Sequence, residues 1–233
     1  PDENPYGAWL RTSCHGFFED GRCAVGTYTG DIWIVSDIDQ GLEHVTWQRY
    51  ASGLYEPFGV LVIDGLVCVT CRDGIKRLHD LNDDGYAEYY ETFFADPDVS
   101  SFFHAFCFDL HRDSKGFLYY AKSGQYTSFK EAGAVVKVAP DGKGFEYFAT
   151  GFRTPNGMGM MPNDLPLCSD NEGNWIPASK ISLCRKGGFY GYVQTHARPG
   201  HWAPDGGRID HTKVEPPDTY DPPILWLPVS EDN

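Results

Sequence analysis

Apolar and polar residues alternate along this chain in short bursts, and a turn sets off each burst. The pattern recurs at Asp20-Gly-Arg-Cys-Ala-Val-Gly-Thr-Tyr, Asp64-Gly-Leu-Val-Cys-Val-Thr and Ser114-Lys-Gly-Phe-Leu-Tyr-Tyr-Ala, with a weaker copy at Asn163-Asp-Leu-Pro-Leu-Cys-Ser. With residues 21, 65, 116 and 164 as markers, the copies step by 44, 51 and 48 residues. A two-residue period predicts strands that bury one face, bounded by Gly-containing reversals. A second strand opening on glycine follows three copies, at Gly30-Asp-Ile-Trp-Ile-Val, Gly74-Ile-Lys-Arg-Leu and Gly133-Ala-Val-Val-Lys-Val. A third follows at Val45-Thr-Trp-Gln-Arg-Tyr and Phe145-Glu-Tyr-Phe-Ala. The closing segments also match. Tyr50-Ala-Ser-Gly-Leu-Tyr-Glu-Pro57-Phe-Gly59 and Phe148-Ala-Thr-Gly-Phe-Arg153-Thr-Pro155-Asn-Gly157 lie 98 residues apart, or two repeats.

Four short strands in about 45–50 residues, with no helix between them, mark a β-propeller blade. A β-sandwich uses similar strands but has no need of the shared closing segment. The expected fold is therefore all-β, a propeller of four-stranded blades, of which this chain covers about four to five. It reads as a single domain over 1–233, incomplete because an open ring exposes sheet edges. The tail Tyr220-Asp-Pro-Pro-Ile-Leu-Trp-Leu-Pro reads as the start of a further blade, and 194–219, poor in apolar pattern, as a long surface loop.

Composition narrows the partners. A net charge of −14, from 33 acidic and 19 basic residues, argues against nucleic acid or an anionic membrane, which need clustered Lys and Arg. It fits cation binding or plain solubility. No apolar run reaches the ~18 residues of a membrane span. The chain opens abruptly at Pro1-Asp-Glu-Asn-Pro, as after removal of a leader. The seven cysteines (Cys14, Cys23, Cys68, Cys71, Cys107, Cys168 and Cys184) are an odd number, so at least one is unpaired within the chain, with one or two disulfides open to the rest. Cys68-Val-Thr-Cys71 has CxxC spacing, but it lies in an apolar strand, where buried small side chains are the better reading than zinc or redox use.

Two segments carry chemistry. Asp80-Leu-Asn82-Asp-Asp84-Gly85-Tyr86-Ala-Glu88-Tyr-Tyr-Glu91 sets side-chain oxygens at loop positions 1, 3, 5, 9 and 12, with glycine at 6 and the Tyr86 carbonyl at 7. A hard cation such as Ca²⁺ takes about six to eight such oxygens. The loop joins strands rather than helices, so Glu91 can point elsewhere and leave Glu88 as the fifth ligand. A solvated acidic turn is the alternative. The second segment runs from Phe148 to Tyr192. In it Arg153, between Gly151 and Pro155, is a cation with little freedom to swing. His104, in Ser101-Phe-Phe-His-Ala-Phe-Cys-Phe-Asp109, precedes the strand one repeat earlier than the one Arg153 precedes. A histidine among such neighbours is usually a core residue; near a guanidinium at the hub of a propeller it can act as a general base.

Gly151-Phe-Arg153-Thr-Pro155-Asn-Gly157, then Ser169-Asp-Asn-Glu-Gly173-Asn, then Lys186-Gly-Gly-Phe-Tyr-Gly191-Tyr resemble the soluble glucose/sorbosone dehydrogenase family. The chain looks most similar to the membrane-bound-dehydrogenase-type proteins of planctomycetes and verrucomicrobia, which carry an Asp-Leu-Asn-x-Asp-Gly loop like that at 80–85. The resemblance implies a six-bladed propeller quinoprotein that uses pyrroloquinoline quinone (PQQ) and calcium, located in the periplasm, secreted or at the cell surface. It makes His104 the base that takes a sugar hydroxyl proton while hydride moves to the quinone. Arg153 would stabilise charge at the quinone oxygens, and backbone carbonyls of the Asn171-Glu172-Gly173 segment would hold the cofactor's calcium. Phe103 stands where the family has a carboxylate, and Asn-Glu-Gly replaces the usual Gly-Pro. Two functions are therefore carried forward. One is a PQQ- and calcium-dependent dehydrogenase for a small sugar. The other is a non-catalytic, calcium-stabilised propeller that binds carbohydrate or protein partners in an extracellular assembly. A lactonase-like hydrolase is a third.

Overall fold

The computed structural model describes residues 4–7, 9–124, 133–173, 176–192 and 219–228. The loop expected at 194–219 lies outside them but for residue 219, as do Asn174 and Trp175. Among the described residues there are seventeen strands and no helix, hence none long and apolar enough to cross a membrane. They form four antiparallel meanders, the blades of a β-propeller, and the chain divides into two compact units, Pro1–Pro97 and Asp98–Asn233.

The first unit holds two four-stranded blades. One is β1 (Thr12–Phe17), β2 (Cys23–Thr27), β3 (Ile32–Ser36) and β4 (Thr46–Ala51). The other is β5 (Gly59–Ile63), β6 (Leu66–Cys71), β7 (Gly74–His79) and β8 (Tyr89–Ala95). Asp64 and Gly65, both with positive φ, make the two-residue turn between β5 and β6 that suits the twist of a hairpin. Ile32, Ile34, Val60, Val67, Val69 and Leu78 pack into one core between these sheets. Cys68 and Cys71 are wholly buried on β6. Three residues apart on a strand, they project from opposite faces and cannot share an ion. None of the seven cysteines is in a disulfide.

The second unit holds β9 (Cys107–Arg112), β10 (Leu118–Lys122), β11 (Ala134–Val138) and β12 (Phe145–Thr150), with β16 (Gly188–Phe189) added in parallel on β12. Its other blade is β13 (Met158–Met160), β14 (Pro166–Asp170), β15 (Lys180–Leu183) and β17 (Leu225–Trp226). Here the tail departs from expectation. Leu225 and Trp226 do not begin a new blade; they pair with Ile181 and Lys180 and close the fourth one. Without β17 that blade would have three strands and an open outer edge at β15. Met158 links the two sheets: its N–H donates to Asp109 Oδ2 at 2.6 Å, and His111 Nε2 lies 3.0 Å from its carbonyl.

The glycines that open the third strands have a steric reason. A Cβ on Gly74 (φ +122°) would overlap the Phe94 carbonyl oxygen, and one on Gly133 (φ +71°) that of Phe152. Gly74→Ala is therefore expected to destabilise the protein by about 2–3 kcal/mol. Gly65→Ala, at φ +80° with open space around it, should cost only about 1 kcal/mol. Urea midpoints of the two variants check the difference.

Candidate functional site

In the second unit every loop of interest leaves the sheets at one end. β9 and β13 start there, β10 and β14 finish there, and β11 and β15 start there again, since neighbours run antiparallel. His104 sits in the turn before β9, half-buried rather than in the core. Its ring lies edge-on to Phe102, at 5.9 Å between centroids, and 4.0 Å from Phe103. Phe103, 56% exposed, thus gives His104 an aromatic neighbour.

Arg153 sits before β13 and is held at both main-chain groups. Its N–H donates to Asp170 Oδ1 and Oδ2, each at 3.1 Å, and its carbonyl accepts from Gly124 N at 2.9 Å and Ser123 Oγ at 3.2 Å. Ser123 N also donates to the Phe106 carbonyl at 3.0 Å, two residues from His104. One corner, Ser123–Gly124, therefore anchors both loops. Arg153 is half-buried, and its guanidinium makes no ion pair or hydrogen bond among the described residues. It can serve an anionic or oxyanionic ligand.

The third group, Asn171, Glu172 and Gly173, continues from β14. The N–H groups of Glu172 and Gly173 turn back onto Ser179 Oγ (3.1 Å) and the Ile176 carbonyl (2.8 Å). The carbonyls of the three residues accept no hydrogen bond among the described residues, which fits oxygen donors for a hard cation.

Two residues that the sequence reading left without a role complete this end. Asp170, last in β14, and Lys180, first in β15, are cross-strand partners with Nζ to Oδ2 at 3.0 Å, and their side chains are 0% and 2% exposed. Burial pushes the Asp170 carboxyl up from the usual carboxylate range, against the opposing pull of Lys180 and of the Arg153 and Thr154 N–H groups. The available signal was opposite charges on the apolar side of two strands, legible only once the register set 170 against 180.

In the first unit the 80–91 loop forms its own site. Carboxylate oxygens of Asp80, Asp84 and Glu88 all lie within 4.8 Å of one another. The turn is wound by side-chain caps: Gly85 N donates to Asp80 Oδ2 (2.8 Å), Asp84 N to Asn82 Oδ1 (3.0 Å) and Tyr86 N to Asp84 Oδ1 (3.0 Å). Glu88 Oε2 accepts from Leu81 N at 2.7 Å. Oxygen-only donors with lone pairs to spare fit calcium. Glu91 lies on β8 with Oε2 at 2.9 Å from His79 Nε2, apart from the three-carboxylate group. A cleft of about 430 Å³ borders the loop, lined by Arg22, Gln48, Tyr50, His79 and Asp80 among others.

No family profile and no curated protein matches the chain. Solved structures do. The soluble aldose sugar dehydrogenase of Escherichia coli, in its apo-form, is 15% identical with a TM-score of 0.66, over 93% of this chain and 72% of that one. The PQQ-bound aldose sugar dehydrogenase of Streptomyces coelicolor is 13% identical with a TM-score of 0.64, over 86% and 66%. A gluconolactonase of Xanthomonas campestris is 14% identical with a TM-score of 0.56, over 82% and 64%. At these identities the likeness is one of fold.

The last conspicuous segment of the sequence, Arg185 to Tyr192, supports the site from behind. Tyr190 stacks on Phe152 at 5.0 Å, and its hydroxyl donates to the Leu183 carbonyl (2.7 Å) and accepts from Arg185 N (2.9 Å). Burial, with Cys184 and Asp221 adding to it, pushes its phenol up to about 12. A phenol raised in the folded state contributes stability that is complete below the unfolded value near 10 and lost as pH rises towards 12. Tyr190→Phe should cost about 1–3 kcal/mol at neutral pH, because it strands Arg185 N, and should flatten the loss of stability between pH 10 and 12. Urea melts across that range provide the check.

Proposed function

We propose that this chain is the propeller of a sugar dehydrogenase of the aldose or sorbosone type, which oxidises a hydroxyl with PQQ and calcium. The observation that carries the reading is Arg153, a half-buried residue whose guanidinium has no partner among the described residues, on a main chain pinned from both sides. The likeness of fold to aldose sugar dehydrogenases supports it, as do the family-like segments at 151–157 and 186–192. When bound, the quinone supplies a hydride acceptor and its calcium an electrophile. An imidazole nitrogen of His104 takes the proton from the sugar hydroxyl oxygen. The N–H groups of Arg153 donate to oxygen on which negative charge develops. The carbonyls of Asn171, Glu172 and Gly173 would hold the cofactor's calcium. A periplasmic or surface location and a small sugar as substrate belong to the same reading.

Reconstitution tests it. With PQQ, Ca²⁺ and an aldose, the protein should reduce an electron-accepting dye. His104→Ala should lower kcat by about 10²–10⁴-fold, and Arg153→Gln should lower kcat/KM by about 10²–10³-fold. No uptake of quinone by the unaltered protein would sink the reading.

The cluster Asp80, Asp84 and Glu88 favours a second, compatible role: a calcium site that stabilises the blade, as in a binding propeller without catalysis. Calcium at about a hundred times its Kd should then add about 2.7 kcal/mol of stability. Asp80→Ala with Asp84→Ala should abolish that gain. Equal melting gains in calcium for both proteins, relative to chelator, would reduce the loop to a turn.

A further inference from the structure

The fourth blade breaks the rule the other three keep. A glycine stands at or just before the start of each of their third strands, Gly30, Gly74 and Gly133. β15 opens instead on Lys180, after the 171–179 connection, and Lys180 is buried against Asp170. A buried ion pair is a poor source of stability, since desolvation offsets attraction, and it persists where its remaining donors and acceptors are satisfied. The Asp170 carboxylate satisfies its own outside its sheet. Oδ1 accepts from Arg153 N (3.1 Å) and Thr154 N (2.8 Å), and Oδ2 from Arg153 N (3.1 Å) and Lys180 Nζ (3.0 Å). The pair is thus built onto the turn that bears Arg153.

We infer that Asp170, braced by Lys180, is a positioning residue: it sets the Arg153–Thr154 turn so that the Arg153 guanidinium is presented to an anionic ligand. The inference rests on the proposed function only for the identity of that ligand, a quinone carrying carboxylates. Arg153 has its N–H fixed by Asp170 and its carbonyl fixed by Gly124 and Ser123, so only the side chain is left to order on binding.

The charge-swapped protein, Asp170→Lys with Lys180→Asp, discriminates. It restores a buried ion pair, but residue 170 then has no acceptor for the two N–H groups. Two readouts are used on the whole chain: amide exchange at Arg153 and Thr154, and the Kd for PQQ in calcium by fluorescence titration. In Lys180→Met and in the swap, both amides should exchange about 10–100-fold faster while Phe152, bonded to Gly133, keeps its protection. PQQ should bind about tenfold more weakly. Lys180→Arg should retain the behaviour of the parent. In an Arg153→Gln background the swap should change Kd no further. Recovery of both readouts by the swap, or an undiminished Kd despite fast exchange, overturns the inference in favour of a purely structural pair. A parent that binds no PQQ refutes the dehydrogenase reading instead. The exchange arm then decides the clamp by itself, unchanged exchange in Lys180→Met and the swap counting against it.

Discussion

Backbone crowding at one end of three of the sheets is the constraint on which the rest depends. Where a third strand begins, a glycine lies against a carbonyl near the end of the fourth. In three sheets the gap admits no Cβ: Leu54, Phe94 and Phe152 occupy the space at Gly30, Gly74 and Gly133. The reward for that approach is a set of main-chain hydrogen bonds, Leu54 N to Gly30 O at 3.0 Å and Phe152 N to Gly133 O at 3.1 Å among them. Buried amides have to be paired. Glycine is the residue that lets these pair with backbone alone.

The fourth blade keeps a main-chain bond at this place, Leu227 N to Ser179 O at 2.9 Å, although no glycine opens β15. The amides of the turn before β13 go to the Asp170 carboxylate. A side-chain anchor is thus added to the main-chain ones. A buried acid needs a base beside it, and Lys180 fills that need. The neighbouring contact follows a similar logic. Asp109 adopts φ +57° in β9, a conformation that Asp tolerates better than most residues, and its carboxylate caps Met158 N. Charged groups thus tie the start of β13 to both of its neighbours.

What could be read from the sequence was what repeats. The glycine-led turns and the 98-residue echo of the closing segments announced the blades because the same backbone sterics recur in three of the four. The acidic loop was legible because chelation demands a fixed local spacing. Non-local pairings were not legible. Nothing in Leu225–Trp226 says that it completes a sheet begun at Met158, because a two-residue edge strand has no period of its own. The bond from Asp170 to the Arg153 turn spans 17 residues and depends on the register of a hairpin. His104 shows the same limit: its apolar neighbours in sequence suggested the core, whereas two of them, Phe102 and Phe103, surround it in a half-buried turn.

The acidic loop at 80–91 carries a further lesson about what an ion would add. Its shape does not wait for a cation, since Asp80, Asn82 and Asp84 already cap the amides of the turn, and Gln48 Nε2 braces the Gly85 carbonyl at 2.9 Å. What the turn lacks is compensation for three carboxylates drawn close together. A bound divalent ion would relieve that repulsion rather than fold the loop, so binding would spend little free energy on ordering the chain. With Glu91 engaged by His79, a cation at this loop would draw on Asp80, Asn82, Asp84, Glu88 and the Tyr86 carbonyl, and water would complete its shell. Such a site would be incompletely enclosed, as expected of an ion that steadies a blade and exchanges with the solvent around it.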